Sequence, residues 1–273
     1  MGRLETNSYS IIRPLSMKPV STRHTPLQDN RRLADVHHAI TSCDRCPRLR
    51  EHCRRVAREK KRAYRDETYW GRPVPGFGDP AARLLLVGLA PAAHGANRTG
   101  RVFTGDGVGG SGDFLMAGLH RAGFANIPTS QRPDDGLRLR DAYIVAAVRC
   151  APPDNAPTPE EIDRCLDHLD AEVALLPRVR VVVALGQIAF NAWLQHLRRR
   201  GVSTSPKPRF GHGELVRIGG DGGAEATPAV LGCYHPSRQN TNTGRLTARM
   251  LDEVFEEANR LLARRPRPAG RRS

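Results

Sequence analysis

The chain has 273 residues, enough for one sizeable core or two small ones, and no stretch approaches the roughly 20 apolar residues needed to span a bilayer. Hydrophobic residues at 39% and charged residues at 26% suit a folded chain with polar segments rather than a disordered one. The 43 lysines and arginines outnumber 28 acidic residues, leaving a formal charge of +15. That surplus points to nucleic acid, because each cation set against a phosphate releases a condensed counterion; a solubilising surface with basic tails is the plainer alternative.

The first ten residues, MGRLETNSYS, lack the apolar run of a signal peptide, so a cytoplasmic, nucleoid-associated protein without membrane contact is expected. Residues 1–30 have no apolar period and 264–273 (RRPRPAGRRS) are basic and broken by proline, so both ends read as mobile tails around a single domain at 31–263. Helical spacing at 33–40 and 49–57 brackets a CxxC turn formed by Cys43 and Cys46. Short apolar runs at 83–88, 142–148, 179–185 and 229–233 look like strands buried on both faces. Thr158-Pro-Glu-Glu161 is a capping box opening an amphipathic helix, with Cys165 on its apolar face. Helices are also expected from Gly109-Gly-Ser-Gly112 onward, at 186–199 and at 246–262, and residues 219–227 form a Gly-rich loop. The alternation predicts an α/β fold: three α/β/α layers around a central, mainly parallel four-stranded sheet.

Six cysteines in a chain without an export signal read as thiols rather than disulfides. Cys43, Cys46, Cys150 and Cys165 could meet at one corner, where four thiolates hold either zinc or an iron–sulfur cluster; the spacing does not decide between them. Arg45, Arg48, Arg149 and Arg164 adjoin these cysteines and could offset the anionic charge. Cys53 and Cys233 have no partner at ligand spacing and read as ordinary core or surface thiols.

Two polar segments leave the carboxyl ends of predicted strands, where open α/β sheets bind ligands: 88–106 (GLAPAAHGANRTGRVFTGD) and 234–246 (YHPSRQNTNTGRL). They should face one another across the sheet. Neither GxGxxG nor a phosphate-loop lysine pattern is present.

With AAVRCAPPDNAPTPEE at 146–161, these segments resemble the family 5 uracil-DNA glycosylases, the broad-specificity iron–sulfur branch of the uracil-DNA glycosylase superfamily, over roughly residues 33–262. The resemblance implies a DNA repair enzyme that hydrolyses the N-glycosidic bond of uracil and leaves an abasic site. Hypoxanthine and other damaged bases in DNA are expected as further substrates. It implies a [4Fe–4S] cluster on Cys43, Cys46, Cys150 and Cys165, and a monomer. Asp106 would stabilise the sugar cation and hold the water, with Asn155 and His235 as the other catalytic groups. Phe103 would stack on the flipped base, and Ala92, His94, Gly95 and Arg238 would complete the substrate site. Where uracil-specific relatives carry a water-activating Asp and a blocking Tyr, this chain has Ala90 and Ala92, and a uracil-reading Asn is replaced by Ala146 or Ala147, implying a roomier pocket. Arg98, Arg101, Arg238 and Arg245, with the basic run at 54–65, are candidate phosphate contacts. From the residues alone, a non-catalytic zinc-bearing nucleic-acid-binding protein is the alternative, and a hydrolase of free nucleosides is a further one that needs less positive charge.

Overall fold

The computed structural model describes residues 26–218 and 227–264. Most of both expected tails and most of the Gly-rich loop at 219–227 lie outside the described residues. The elements in chain order are α1 (Pro26–Thr41), α2 (Pro47–Glu59), β1 (Phe77–Gly78), β2 (Leu84–Gly88), α3 (Ala96–Thr99), α4 (Ser111–Arg121), β3 (Ala142–Ala146), α5 (Pro159–Val173), β4 (Val181–Leu185), α6 (Gln187–Arg199), β5 (Leu215–Val216), β6 (Ala229–Cys233), α7 (Arg238–Asn242) and α8 (Ala248–Ala263). Helix α1 starts inside the segment expected to be tail, since a proline at the first helical position sacrifices no intrahelical hydrogen bond.

The sheet has six strands in the order β1-β3-β2-β4-β6-β5, which corrects the expectation of four. The four expected strands pair in parallel, with Leu84 opposite both Ala142 and Val181 and Val181 opposite Ala229. The additional strands are two-residue antiparallel edges, β1 on β3 and β5 on β6, too short to carry a hydrophobic period. Every residue of the four parallel strands is buried. Leu84, Leu86, Ile144 and Val183 pack under α4 and α8, while Leu85, Val87, Val145 and Val182 pack under α5 and α6 with Leu33 of α1. This strict alternation explains why the strand sequences are apolar throughout. The capping box at Thr158 and Glu161 starts α5 as expected. No helix among the described residues is long and apolar enough to cross a membrane.

One polar group is driven deep into this frame. Glu172 on α5 is fully buried and pairs at 2.7 Å with Arg149, which is 1% exposed and follows β3. Its Oε1 also accepts hydrogen bonds from the Tyr143 hydroxyl (2.8 Å) and the Gly76 N–H (2.9 Å), and His37 Nε2 of α1 lies 2.9 Å away. Burial alone would raise this carboxyl, but Arg149, His37 and Tyr143 overturn that and hold it at about 2. Glu172→Ala strands a buried guanidinium and should lower the unfolding free energy by about 3–5 kcal/mol, measured by urea titration near neutral pH. Tyr143→Phe, which removes one hydrogen bond from the same oxygen, should cost nearer ~1 kcal/mol.

Candidate functional site

The two polar segments meet at the carboxyl ends of β2, β4 and β6. Phe103 has a left-handed backbone (φ 48°), and its half-buried ring lies over Gly88, the last residue of β2. A Cβ at Gly88 would stand 2.9 Å from Phe103 Cε2, so a side chain there would push the ring off its seat. From the other segment, His235 brings its ring to 5.9 Å from the Phe103 ring, tilted by 31°. Gly186, just past β4, lies beneath His235, where an added Cβ would be 3.5 Å from the His235 Cβ. Asn240 of α7 donates from Nδ2 to the His235 carbonyl at 2.8 Å, and the Tyr234 N–H donates to His212 Nδ1 at 3.1 Å. Burial pulls the His235 imidazole down to about 4, so it is neutral at physiological pH and presents one N–H donor.

Asp106 lies between Gly95 and the start of α4. Its Oδ1 fills the space where a Cβ on Gly95 would sit, at 1.7 Å, so residue 95 has to be glycine while the carboxylate keeps this position. Ala92 flanks the same spot, 3.2 Å from that Cβ position. Burial raises the Asp106 carboxyl to about 6, against the opposing pull of the Gly112 N–H and of Arg238 and Arg98. The Gly112 N–H, near the start of α4, thus faces the carboxylate. Arg238 reaches over from the last segment and donates from Nη2 to the Asp106 carbonyl at 3.1 Å. His94 Nδ1 lies 3.0 Å from the Tyr69 hydroxyl, which orients its ring.

Two sequence readings need correction here. Arg98 is buried, stacked 3.9 Å over Tyr64, paired with Glu67 and donating to the Gly105 carbonyl, while Arg101 is buried and paired with Asp135 at 2.7 Å. Both brace the loop from inside and are not free phosphate contacts; Arg238 and Arg245 are exposed, as are most cations of the run at 54–65. Ala90 packs on the apolar cluster at the cysteine corner. Arg48 turns away from the cysteines to pair with Glu161 at 2.7 Å. Asn155 stands apart: it is exposed, left-handed (φ 55°), and makes no side-chain hydrogen bond to Asp106 or His235 among the described residues.

The four expected cysteines do converge. Cys43, Cys46, Cys150 and Cys165 line one small cavity, together with Arg45, Arg50, Arg149, Arg164 and His168. The Arg149 N–H donates to Cys165 Sγ at 3.3 Å, and Arg45 Nε to Cys43 Sγ at 3.4 Å. His168 pulls the Cys43 thiol down to about 6, whereas burial raises Cys46 and takes Cys165 to about 11. His168 Nε2 is buried with no hydrogen-bond partner among the described residues. Sulfurs at an enclosed cavity, ringed by guanidiniums and an unpartnered imidazole nitrogen, fit a bound group that both deprotonates thiols and accepts hydrogen bonds. His168 and Glu172 escaped the sequence reading, yet they lie three and seven residues beyond Cys165 on the same helical face, a period that would have found them. Cys53 is buried in the same apolar cluster as Cys150, closer to the corner than its spacing suggested.

The model of the uracil DNA glycosylase superfamily matches residues 75–262. The type-5 uracil-DNA glycosylase of Thermus thermophilus is 53% identical over 222 residues, covering 81% of this chain and 94% of that protein. The type-5 enzyme of Mycobacterium bovis is 52% identical over 84% of this chain and 81% of its own length, and that of Pyrobaculum aerophilum is 45% identical over 82% and 91%.

The raised Asp106 carboxyl has a stability consequence with a definite sign. A folded-state value of about 6 against an ordinary 3.8 favours the protonated native state, so the stabilisation is complete below about 3.8 and lost as pH rises through about 6. Asp106→Asn should therefore gain stability relative to wild type by roughly 3 kcal/mol between pH 3.5 and pH 8, measured by denaturant unfolding at both pH values.

Proposed function

The chain belongs to the uracil-DNA glycosylase superfamily, alongside its type-5 members, and on that premise we propose how its own residues carry out the excision of uracil from DNA. The protein is a monofunctional DNA repair glycosylase: water cleaves the N-glycosidic bond and an abasic site is left. The target nucleotide has to leave the duplex, at a cost of a few kcal/mol, before the bond is reachable.

In the reading we favour, the extruded base stacks on Phe103, a contact worth ~1–3 kcal/mol by analogy with single-strand binders. As the C1′–N bond breaks, its electron pair goes to the base and positive charge develops on the sugar. Neutral His235 donates its N–H to the departing anion, and ionised Asp106 stabilises the sugar cation and holds the water that adds at C1′. The water's proton leaves to the carboxylate or to solvent. Ala92, His94 and Gly95 line the pocket and Arg238 contacts a phosphate. Asn155 would join only by swinging in from the exposed loop once DNA is bound. The observation carrying this reading is the placement of Asp106, its carboxylate seated against Gly95 and raised by desolvation to about 6, on the segment whose Phe103 ring meets the His235 ring. A non-catalytic zinc-bearing protein has no use for a carboxylate held at that expense.

The small side chain of Ala92 next to Asp106 supports acceptance of hypoxanthine and other bases bulkier than uracil. The exposed cations of the run at 54–65, with Arg238 and Arg245, support binding to the DNA backbone. Cys43, Cys46, Cys150 and Cys165 would hold a [4Fe–4S] cluster. Because the reaction is hydrolytic, the cluster's contribution is to tie α1, α2 and α5 to the end of β3.

Single-turnover excision from uracil-containing duplex, followed by alkaline cleavage of the abasic product, tests the chemistry. Asp106→Asn should lower the rate by about a hundredfold or more and leave affinity for the duplex nearly unchanged, because the lost interaction belongs to the transition state. With wild type, the rate should rise with pH through about 6 as Asp106 ionises. Wild-type turnover by the variant would remove Asp106 from the mechanism.

For the cluster, purified protein should be brown and carry iron. Cys150→Ser should lose iron and stability together, whereas Cys53→Ser should keep its iron. Colourless protein with stoichiometric zinc sinks the cluster assignment.

A further inference from the structure

Val108 is 89% exposed, two residues past Asp106. It occupies the second position of a four-residue turn closed by the Gly110 N–H donating to the Gly107 carbonyl at 2.9 Å. Gly109 follows with φ 66°, the left-handed conformation that a type II turn demands at its third position. Three polar anchors fix the tip from below and from the side. Asp113 Oδ2 of α4 accepts the Gly109 N–H at 3.0 Å, and Arg238 Nη2 donates to the carbonyls of Asp106 at 3.1 Å and Val108 at 3.4 Å. The polar parts of the turn are thus occupied with holding it, and an apolar side chain is what it presents to the outside.

A single exposed valine is unremarkable on a protein surface. Its setting is what distinguishes this one. The other large apolar side chains exposed among the described residues are Trp70, Ile188 and Leu215, each much farther along the chain from Asp106 than Val108 is. An extruded nucleotide leaves an unstacked gap, and proteins that open duplexes commonly fill such gaps with an apolar wedge. The wedge has to stand at the rim of the base pocket, be held rigidly, and carry no charge that would be desolvated in the stack. Val108 meets these conditions, while the tip of the other segment offers Arg238 and Gln239.

We propose that Val108 is the wedge that enters the base stack as the target nucleotide swings toward Asp106. This rests on the reading of Asp106, Phe103 and His235 as the site for an extruded base, and it names a positioning residue that never touches the reacting atoms. A wedge acts only where there is a stack to fill, so its loss penalises duplex and spares single strands.

The experiment compares single-turnover excision of uracil from duplex and from the same strand alone. Val108→Ala should slow the duplex reaction by about tenfold or more and stay within about twofold of wild type on the single strand, and Val108→Leu should restore the duplex rate. In an Asp106→Asn background, fluorescence of 2-aminopurine placed beside the uracil should rise on binding and rise less when Val108→Ala is added. Equal loss on both substrates would mean that the turn only supports Asp106, and that overturns the proposal. So would an unchanged duplex rate, or a duplex-specific loss produced by Gln239→Ala or Ile188→Ala instead. Wild-type protein that excises from neither substrate would fail at the underlying site reading, an outcome distinct from failure of the wedge.

Discussion

The buried contact between Arg149 and Glu172 is the constraint on which the remaining geometry depends. Removing two charges from water is expensive, and part of that expense is offset here by the polar partners that several elements bring to the Glu172 Oε1. Glu172 comes from α5, His37 from α1, Tyr143 from β3 and the Gly76 N–H from the segment leading into β1. The Arg149 carbonyl meanwhile accepts the Val74 N–H at 2.7 Å. Arg149 cannot shift without breaking several of these at once. Cys150 follows it directly, and the Arg149 N–H donates to Cys165 Sγ, so the ion pair sets where two of the four sulfurs can lie.

From that corner the constraint passes to the segment bearing Asp106. Ala90 and Ala93 pack on the same small cluster as Cys46, Cys53 and Cys150. Fully buried Asn97 donates from Nδ2 to the Cys53 carbonyl at 3.4 Å and to that of Ala93 at 3.3 Å, joining α2 to α3. Arg98 continues the chain of contacts from the His94 carbonyl to that of Gly105, next to Asp106. The cysteine corner and the base pocket are therefore built on a continuous run of packed and hydrogen-bonded groups. Packing at the cysteine corner therefore also governs how accurately the carboxylate is held.

How much of this was legible in the sequence follows from the range of the interactions involved. The four central strands were plain because burial on both faces leaves an uninterrupted apolar run, and the α5 start was plain because its capping box is local. Edge strands β1 and β5 are defined by pairing with β3 and β6 rather than by any pattern of their own. Asp106, Phe103 and His235 were found through quoted motifs, and the fold does bring their segments together. Arg98 and Arg101 were misjudged because what neutralises them, Glu67 and Asp135, lies far off in the chain, and an arginine's partner leaves no trace in its immediate neighbours. Asn155 shows the converse: a polar residue in the right segment that the free protein leaves in solvent.

The overlap between Gly95 and the Asp106 carboxylate also bears on how such a site can change over generations. With Asp106 in position, any side chain at 95 collides with its Oδ1, so a change there comes at the expense of the carboxylate's placement. Shortening residue 106 first would vacate that space and make position 95 permissive. The order of the two substitutions therefore matters: a lineage that gives up the carboxylate can later fill position 95, and once it has done so the aspartate cannot return until position 95 has first reverted to glycine. A steric contact of one oxygen with one missing methyl group thus acts as a ratchet on the catalytic repertoire.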